Sequence, residues 1–324
     1  MRMLITGGSG FIGTNLVELY LGRGVPTVNL DALPPRNPAH GHCWIQTDVR
    51  NAEALKSRFD AFRPTHVIHM AARTDLRGQS VPDYDTNTKG VESVIEAVGA
   101  CGAVERVVYA SSMLVCRAGY RPVADNDYAP STLYGQSKGI GEDLVRRGAP
   151  DGPVWSIVRP TSIWGPWFGE PYRDFFQAVL RKWFVKFGAG GARKTFGYVG
   201  NTVYQLDALL RAPKELAHGS TFYLGDRPPL AIGEWADQIA AQAGVRLPWT
   251  VPLGLARLAA RAGDAASRIG IAAPITSFRL SNMTTDNEIG LDDIYAVAGE
   301  PPCSVREGIR ATLDWLSQPA GRRS

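Results

Sequence analysis

Tyr134-Gly-Gln-Ser-Lys138 sets a phenol and an ammonium four residues apart, and a helix would carry both on one face. A lysine cation beside a phenol favours the phenolate. Tyr134 is therefore a candidate to exchange a proton with a substrate hydroxyl near neutral pH, with Lys138 as its partner. Upstream, an apolar run ends in Tyr109-Ala-Ser111-Ser112. Open α/β sheets place ligands at the carboxyl ends of their strands, so a hydroxyl there can orient the substrate oxygen beside Tyr134.

A second chemistry-bearing segment opens the chain. Thr6-Gly-Gly-Ser-Gly10-Phe-Ile-Gly13 joins a short apolar run to an amphipathic one. In that position Gly7 permits a tight turn, Gly10 lets backbone approach a pyrophosphate, and Gly13 permits close helix–strand packing. The amides of Phe11 and Ile12 and the positive end of the helix dipole would face the phosphates. Asp31 ends the second apolar run, where a carboxylate either takes ribose hydroxyls and repels a 2′-phosphate or caps a turn. This pattern predicts a bound nicotinamide dinucleotide, NAD in preference to NADP, although Arg36 could swing toward a 2′-phosphate. Asp48 is placed either to accept from the adenine amino group, with Val49 on the ring, or to cap the next helix.

These groups need a scaffold. Strands are predicted at Met3–Thr6, Thr27–Leu30, His66–His69, Arg106–Ala110 and Val154–Arg159. They alternate with helices at Phe11–Leu21, Ala52–Phe62, Asn87–Cys101 and Thr132–Arg147. Such repetition implies a parallel sheet covered on both faces, with right-handed crossovers. After Pro160 the alternation breaks down. Helices are expected at Asp174–Val185, Ile232–Ala243 and Val305–Leu316, a strand at Thr221–Leu224, and Asn201–Leu210 is expected to pack back on the sheet. The fold class is α/β, a Rossmann-type doubly wound parallel sheet with a smaller interleaved C-terminal substrate domain. Residues 1–165, with 195–226 returning to them, would form the first unit. Residues 166–194 and 227–318 would form the second, and 319–324 a tail.

The 324 residues are 44% apolar with a formal charge of +4, which suits a globular protein and gives no basis for a nucleic-acid surface. Cys43, Cys101, Cys116 and Cys303 lack a CxxC spacing and fit a reduced, cytoplasmic setting. No signal peptide is expected, because Met1-Arg2 runs straight into a strand. The most apolar stretch, Leu253 to Ile271, is interrupted by Arg257, Arg261, Asp264 and Arg268. It reads as an amphipathic helix whose arginines argue against membrane embedding, so neither a membrane span nor a membrane partner is expected. His40-Gly-His42-Cys43 has metal-ligand types without a second ligand pair, so a polar loop is expected and no metal.

In order, Thr6–Gly13, Asp31, Asp48-Val49, His69-Met-Ala-Ala72, Asn87-Thr-Lys-Gly90, Ser111-Ser112, Tyr134–Lys138, Arg159-Pro160 and Gly165-Pro166 resemble the landmarks of the extended short-chain dehydrogenase/reductase family, in its NAD-dependent epimerase/dehydratase group. The resemblance implies that Tyr134 is the general acid/base, and that Lys138 holds the nicotinamide ribose and lowers the tyrosine pKa. Ser112 would hydrogen-bond the reacting oxygen, with Ser111 beside it. Ala71 and Ala72 would line the cofactor, and Pro160 would sit near the nicotinamide. Arg73, Trp164 and Lys194 are the further candidate substrate contacts.

Departures from the pattern narrow the reaction. Relatives that dehydrate nucleotide sugars carry Thr-Asp-Glu where this chain has Ser112-Met113-Leu114, so a 4,6-dehydratase is not expected. Lys194 begins a stretch that starts with Arg in nucleotide-sugar enzymes; it could meet a diphosphate or simply flank a strand. Trp164, Trp167, Phe168 and Tyr172 fall where the family's substrate pocket begins, to stack on a base or sugar or to pack between domains. The expected function is an NAD-dependent nucleotide-sugar epimerase or related sugar oxidoreductase. Val199-Gly-Asn201 and the helix after Pro252 also look like the 3β-hydroxysteroid dehydrogenase branch, which keeps an alcohol dehydrogenase or ketoreductase open. A catalytically idle NAD-sensing protein is the remaining alternative. The family's dimer pairs the helices at Asn87–Cys101 and Thr132–Arg147; Val91, Ile95, Ile140 and Leu144 suit such a homodimer or cover their own sheet.

Overall fold

The computed structural model describes residues 1–149, 151–187, 191–247, 250–268, 277, 280 and 284–318. Its centre is a sheet of seven strands: β1 (Met3–Thr6), β2 (Thr27–Asp31), β3 (Trp44–Gln46), β4 (His66–His69), β5 (Arg106–Ala110), β6 (Val154–Pro160) and an edge strand, Ser220–Leu224. Their order is edge strand, β6, β5, β4, β1, β2, β3, and every pairing is parallel. From β1 the chain first builds outward through β2 and β3, then returns to build the other way from β4. The crevice at the carboxyl ends of β1 and β4 is the switch point at which such sheets bind ligands.

Four helices complete the first half: α1 (Phe11–Gly22), α2 (Ala52–Phe62), α3 (Lys89–Ala100) and α4 (Leu133–Gly148). Alternate strand residues face opposite sides. Leu4, Leu30, Val67, Val107 and Ile157 pack with Leu55 and Phe59 of α2, Val91, Val94, Ile95 and Val98 of α3, and Val145 of α4. Val91 and Ile95 thus cover their own sheet, one of the two roles open to them. On the other side Met3, Ile5, Ile68, Val108 and Val158 meet Leu16, Val17 and Tyr20 of α1.

That second core runs without a break into the C-terminal half. Trp164 is 1% exposed and lies 5.3 Å, centroid to centroid, from both Tyr198 and Trp235. Phe175 stacks on Trp235 at 4.7 Å, and Trp167 and Phe168 pack with Trp315. The aromatic cluster after Pro160 is therefore packing, and Trp164 is not available to a substrate. The helix expected to run to Val185 spans Tyr172–Leu180; Lys182, at φ 62°, turns the chain out of it. Asn201 ties two distant segments, donating to Asp226 Oδ1 at 2.9 Å and to the Cys303 carbonyl at 2.7 Å.

Trp235 touches five other aromatic rings. Trp235→Ala should cost about 3–5 kcal/mol of stability, the scale for deleting a large buried ring, measured by chemical denaturation against wild type.

Candidate active site

The glycine turn leaves β1 directly. Gly7 sits at φ +74°, and a Cβ there would fall 2.5 Å from the Ala71 nitrogen. A Cβ on Gly13 would fall 2.1 Å from the Gly7 carbonyl oxygen, so α1 can approach the turn only with glycine. Gly10 is the N-cap of α1 and brings no capping side chain. This cradle fits a dinucleotide pyrophosphate: small, bare of side chains, and at the positive end of a helix dipole. Phe11, next in the chain, tilts against Phe168 at 6.3 Å.

The carboxylates behind the turn are already engaged. Asp31 accepts from the Ser9 and Leu33 amides, each at 3.0 Å, so it caps the turn, with further lone pairs left for hydroxyls. Arg36 donates to the Trp167 carbonyl, across the loop instead of toward a ribose. Asp48 is gripped by Arg50 at 2.6 Å, which holds its carboxyl below the usual range. The helix cap that Asp48 might have supplied comes from Asn51, which accepts from Ala54 at 3.0 Å. Val49 is buried against Gly90. Among the described residues no group of three or more possible metal ligands forms; His40 and Cys43 lie in a single 3-10 turn, Pro38–Cys43.

Tyr134 and Lys138 both lie on the sheet side of α4, 7% and 4% exposed. Close packing brings the helix there: a Cβ on Gly135 would fall 2.0 Å from the Leu114 carbonyl. Ser112 caps the one-turn helix Met113–Val115 by accepting from the Leu114 amide at 3.2 Å, and its hydroxyl is near enough to Tyr134 to favour the phenolate. Burial pushes the Tyr134 hydroxyl up to about 12; the Ser112 hydrogen bond opposes this and nearby Tyr84 adds to it. Burial likewise draws the Lys138 ammonium down to about 8, against the pull of Glu142. The ammonium donates to the Ala110 carbonyl at the end of β5, at 2.7 Å. The expected lowering of the tyrosine by the lysine is thus not seen: dehydration dominates both groups.

Behind Lys138 lies a small chamber where His69, Tyr109, Ser111 and Asn87 meet the apolar side chains of Val91, Val145 and Ile157. His69 Nδ1 meets Thr6 Oγ1 at 2.7 Å. Burial, helped by the lysine charge, lowers its pKa to about 3, so the ring is neutral. His69 Nε2, the Tyr109 hydroxyl and the Ser111 hydroxyl find no partner among the described residues. Asn87, noted only as a family landmark, is structural glue: it exchanges hydrogen bonds with both backbone groups of Arg73, at 2.9 and 3.0 Å, and donates to Ser137 on α4 at 2.9 Å.

Gly7, Ala71, Ser112, Tyr134 and Lys138 therefore gather at the ends of β1, β4 and β5. The other candidates are more scattered. Arg73 is held by Asp75 at 2.8 Å and lies over the ring of Tyr84. That ring is in turn 6.2 Å from Tyr134, a neighbour that no motif or spacing singles out. Pro160 ends β6, half-buried. Lys194 is half-buried without an acidic partner among the described residues, and burial lowers its pKa. A cleft of about 740 Å³ opens beyond Met113, between the Cys116–Asp125 loop and residues 287–293; it does not take in Tyr134 or Lys138.

Residues 3–225 match the model of the NAD dependent epimerase/dehydratase family. A 3 beta-hydroxysteroid dehydrogenase/Delta 5-->4-isomerase of Mycobacterium tuberculosis is 31% identical over 264 residues, 76% of this chain and 70% of that protein. The N-acetyl-alpha-D-glucosaminyl-diphospho-ditrans,octacis-undecaprenol 4-epimerase of Escherichia coli O157:H7 is 26% identical, over 97% of this chain and 95% of its own length. In fold, the chain is similar to the Thermotoga maritima UDP-glucose 4-epimerase with UDP-glucose, with a TM-score of 0.76, 18% identity and 98% of each chain covered.

Because Lys138 titrates lower in the folded protein than its ordinary value of 10.5, the folded state binds fewer protons between about pH 8 and 10.5, and this group's contribution to stability grows as pH rises through that window. Lys138→Met should be the more stable protein at neutral pH, and its advantage over wild type should shrink by about 3 kcal/mol across the window. Urea unfolding of both proteins at a series of pH values measures it.

Proposed function

We propose, from the premise that this chain belongs to the NAD dependent epimerase/dehydratase family, that it is an NAD-dependent epimerase acting on a sugar carbinol carbon of a diphosphate-linked sugar. The reading is carried by one observation: the Tyr134 phenol and the Lys138 ammonium are buried together on the sheet side of α4, with Lys138 bonded to the Ala110 carbonyl at the end of β5 and Ser112 two residues beyond it. When bound in the glycine cradle, a nicotinamide supplies hydride acceptance and return. The chain's own residues manage the proton. Tyr134, neutral at pH 7, is poised to donate to a carbonyl oxygen, and Ser112 orients that oxygen. To take a proton from an alcohol instead, Tyr134 needs a cation, and Lys138 lies four residues along the same helix.

Met113 and Leu114 offer neither acid nor base for eliminating water, which argues against a dehydratase. Lys194, half-buried and without an acidic partner among the described residues, suits a diphosphate, and the Escherichia coli relative, matched along nearly its whole length, acts by its name on a diphosphate-linked sugar. A second reading is an alcohol dehydrogenase of the 3β-hydroxysteroid type, favoured by the 31% identity to the mycobacterial enzyme. Incubation with nucleotide sugars, a polyprenyl-diphosphate sugar and hydroxysteroids separates the two. An epimerase yields the isomer without net cofactor reduction. Stoichiometric NADH with an alcohol, and no isomer, replaces the first reading with the second.

Tyr134→Phe keeps the ring and removes the proton. It should lower kcat by about 10² or more, the usual scale for general acid–base catalysis; undiminished turnover would remove Tyr134 from the mechanism.

A further inference from the structure

The helix Leu253–Arg268 meets the rest of the protein through a narrow band of small residues. Ala256 and Ala260 are buried and cluster with Leu280, Val251 and Leu253, and Gly263 is buried in line with them. At 3.6 residues per turn these three lie within about 60° of arc. Away from that band, Leu255 and Leu258 are 59% and 64% exposed, with Ala259, Ala262 and Ala265 exposed around them. One exposed leucine is ordinary, but two on a stripe widened by three alanines form a ridge. Arg257 and Arg261, one turn apart and both exposed, run along one flank of the ridge. The helix has a single acidic residue, Asp264; it is half-buried and accepts from the Ser277 amide at 3.0 Å.

We propose that this helix is an interfacial anchor, seating the leucine–alanine ridge in the headgroup boundary of an anionic phospholipid membrane with Arg257 and Arg261 on lipid phosphates. The charge pattern selects that occupant. An apolar stripe bordered by arginines matches a surface where hydrocarbon meets phosphate, whereas a second copy of the helix would set arginine against arginine. With Arg257 and Arg261 inside it the helix is too charged to span, so it lies along the surface. A second feature repeats the chemistry nearby in the fold. Trp183 is 70% exposed, and the Arg181 guanidinium sits 5.1 Å from its ring, an aromatic–cation pair of the kind enriched at membrane boundaries. It precedes Lys186–Phe187, the strand that pairs with Thr250–Val251, from which the helix springs. None of this depends on which alcohol the active site takes.

Cosedimentation of the full chain with vesicles tests it. Vesicles of phosphatidylcholine containing about a third phosphatidylglycerol should bind the protein at least about tenfold more than phosphatidylcholine alone, and salt should release it. Leu255→Glu with Leu258→Glu should drop binding to the phosphatidylcholine background without moving Tm, since both side chains are exposed. Arg257→Gln with Arg261→Gln should abolish the preference for phosphatidylglycerol. The proposal is overturned if wild type ignores the anionic vesicles or if the leucine variant binds them equally. It is also overturned if light scattering shows a wild-type dimer that the leucine variant dissolves, which would assign the ridge to a second copy.

Discussion

Arg159 holds Glu142 with two of its nitrogens, both at 2.8 Å, and both side chains are 1% exposed. Taking two charges out of water is costly unless nearly every donor and acceptor finds a partner. Here they do: Arg159 also reaches the Asp125 carbonyl and the Tyr223 hydroxyl, and Glu142 also receives Arg146 at 3.0 Å. Few placements of α4 on β6 satisfy all of these bonds at once, and the helix is thereby fixed in rotation and height. Lys138 stands one turn above Glu142, and Tyr134 one turn above that. The meeting of Tyr134 with Ser112, and of Lys138 with the Ala110 carbonyl, follows from an ion pair that touches neither.

Burial then shapes the chemistry. In water the phenol and the ammonium would titrate within half a unit of each other; inside, the first is pushed up to about 12 and the second down to about 8. Each shift favours the uncharged form, so the site rests at pH 7 as a neutral phenol beside an ammonium that gives up its proton more readily than a lysine in water. Environments that separate two titratable groups in this way assign them different work. The neutral His69 behind them keeps a second cation out of the same small space.

What could be read from the sequence depended on how local its cause was. The glycine turn was legible because its requirement is a backbone fact about Gly7 and Gly13 themselves, and Tyr134 with Lys138 because helical spacing alone puts them on one face. That the strands run parallel followed from their alternation with helices, but their order in the sheet and the short strand Trp44–Gln46 did not. Trp164 was ambiguous because a ring that packs and a ring that stacks on a ligand have the same composition; only its tertiary neighbours, Tyr198 and Trp235, decide. Asp48 stayed open between two roles because its partner, Arg50, is a neighbour whose side chain could have pointed anywhere. The grip of Arg159 on Glu142 spans 17 positions and two elements, and no periodicity announces it. The end of the helix at Leu180 turns on a lysine in a left-handed conformation, where the usual signal is a glycine.

The edge strand Ser220–Leu224 has a consequence for how the protein is made. It covers the outer border of β6, yet it is synthesised after the whole segment that wanders off to build the aromatic core. A ribosome delivers β6 first and its cover much later. In that interval the row of N–H and C=O groups along β6 is open to any other extended chain, the condition that favours misassociation. The interleaving thus gives every nascent copy a transient adhesive border, closed only from within by its own later residues.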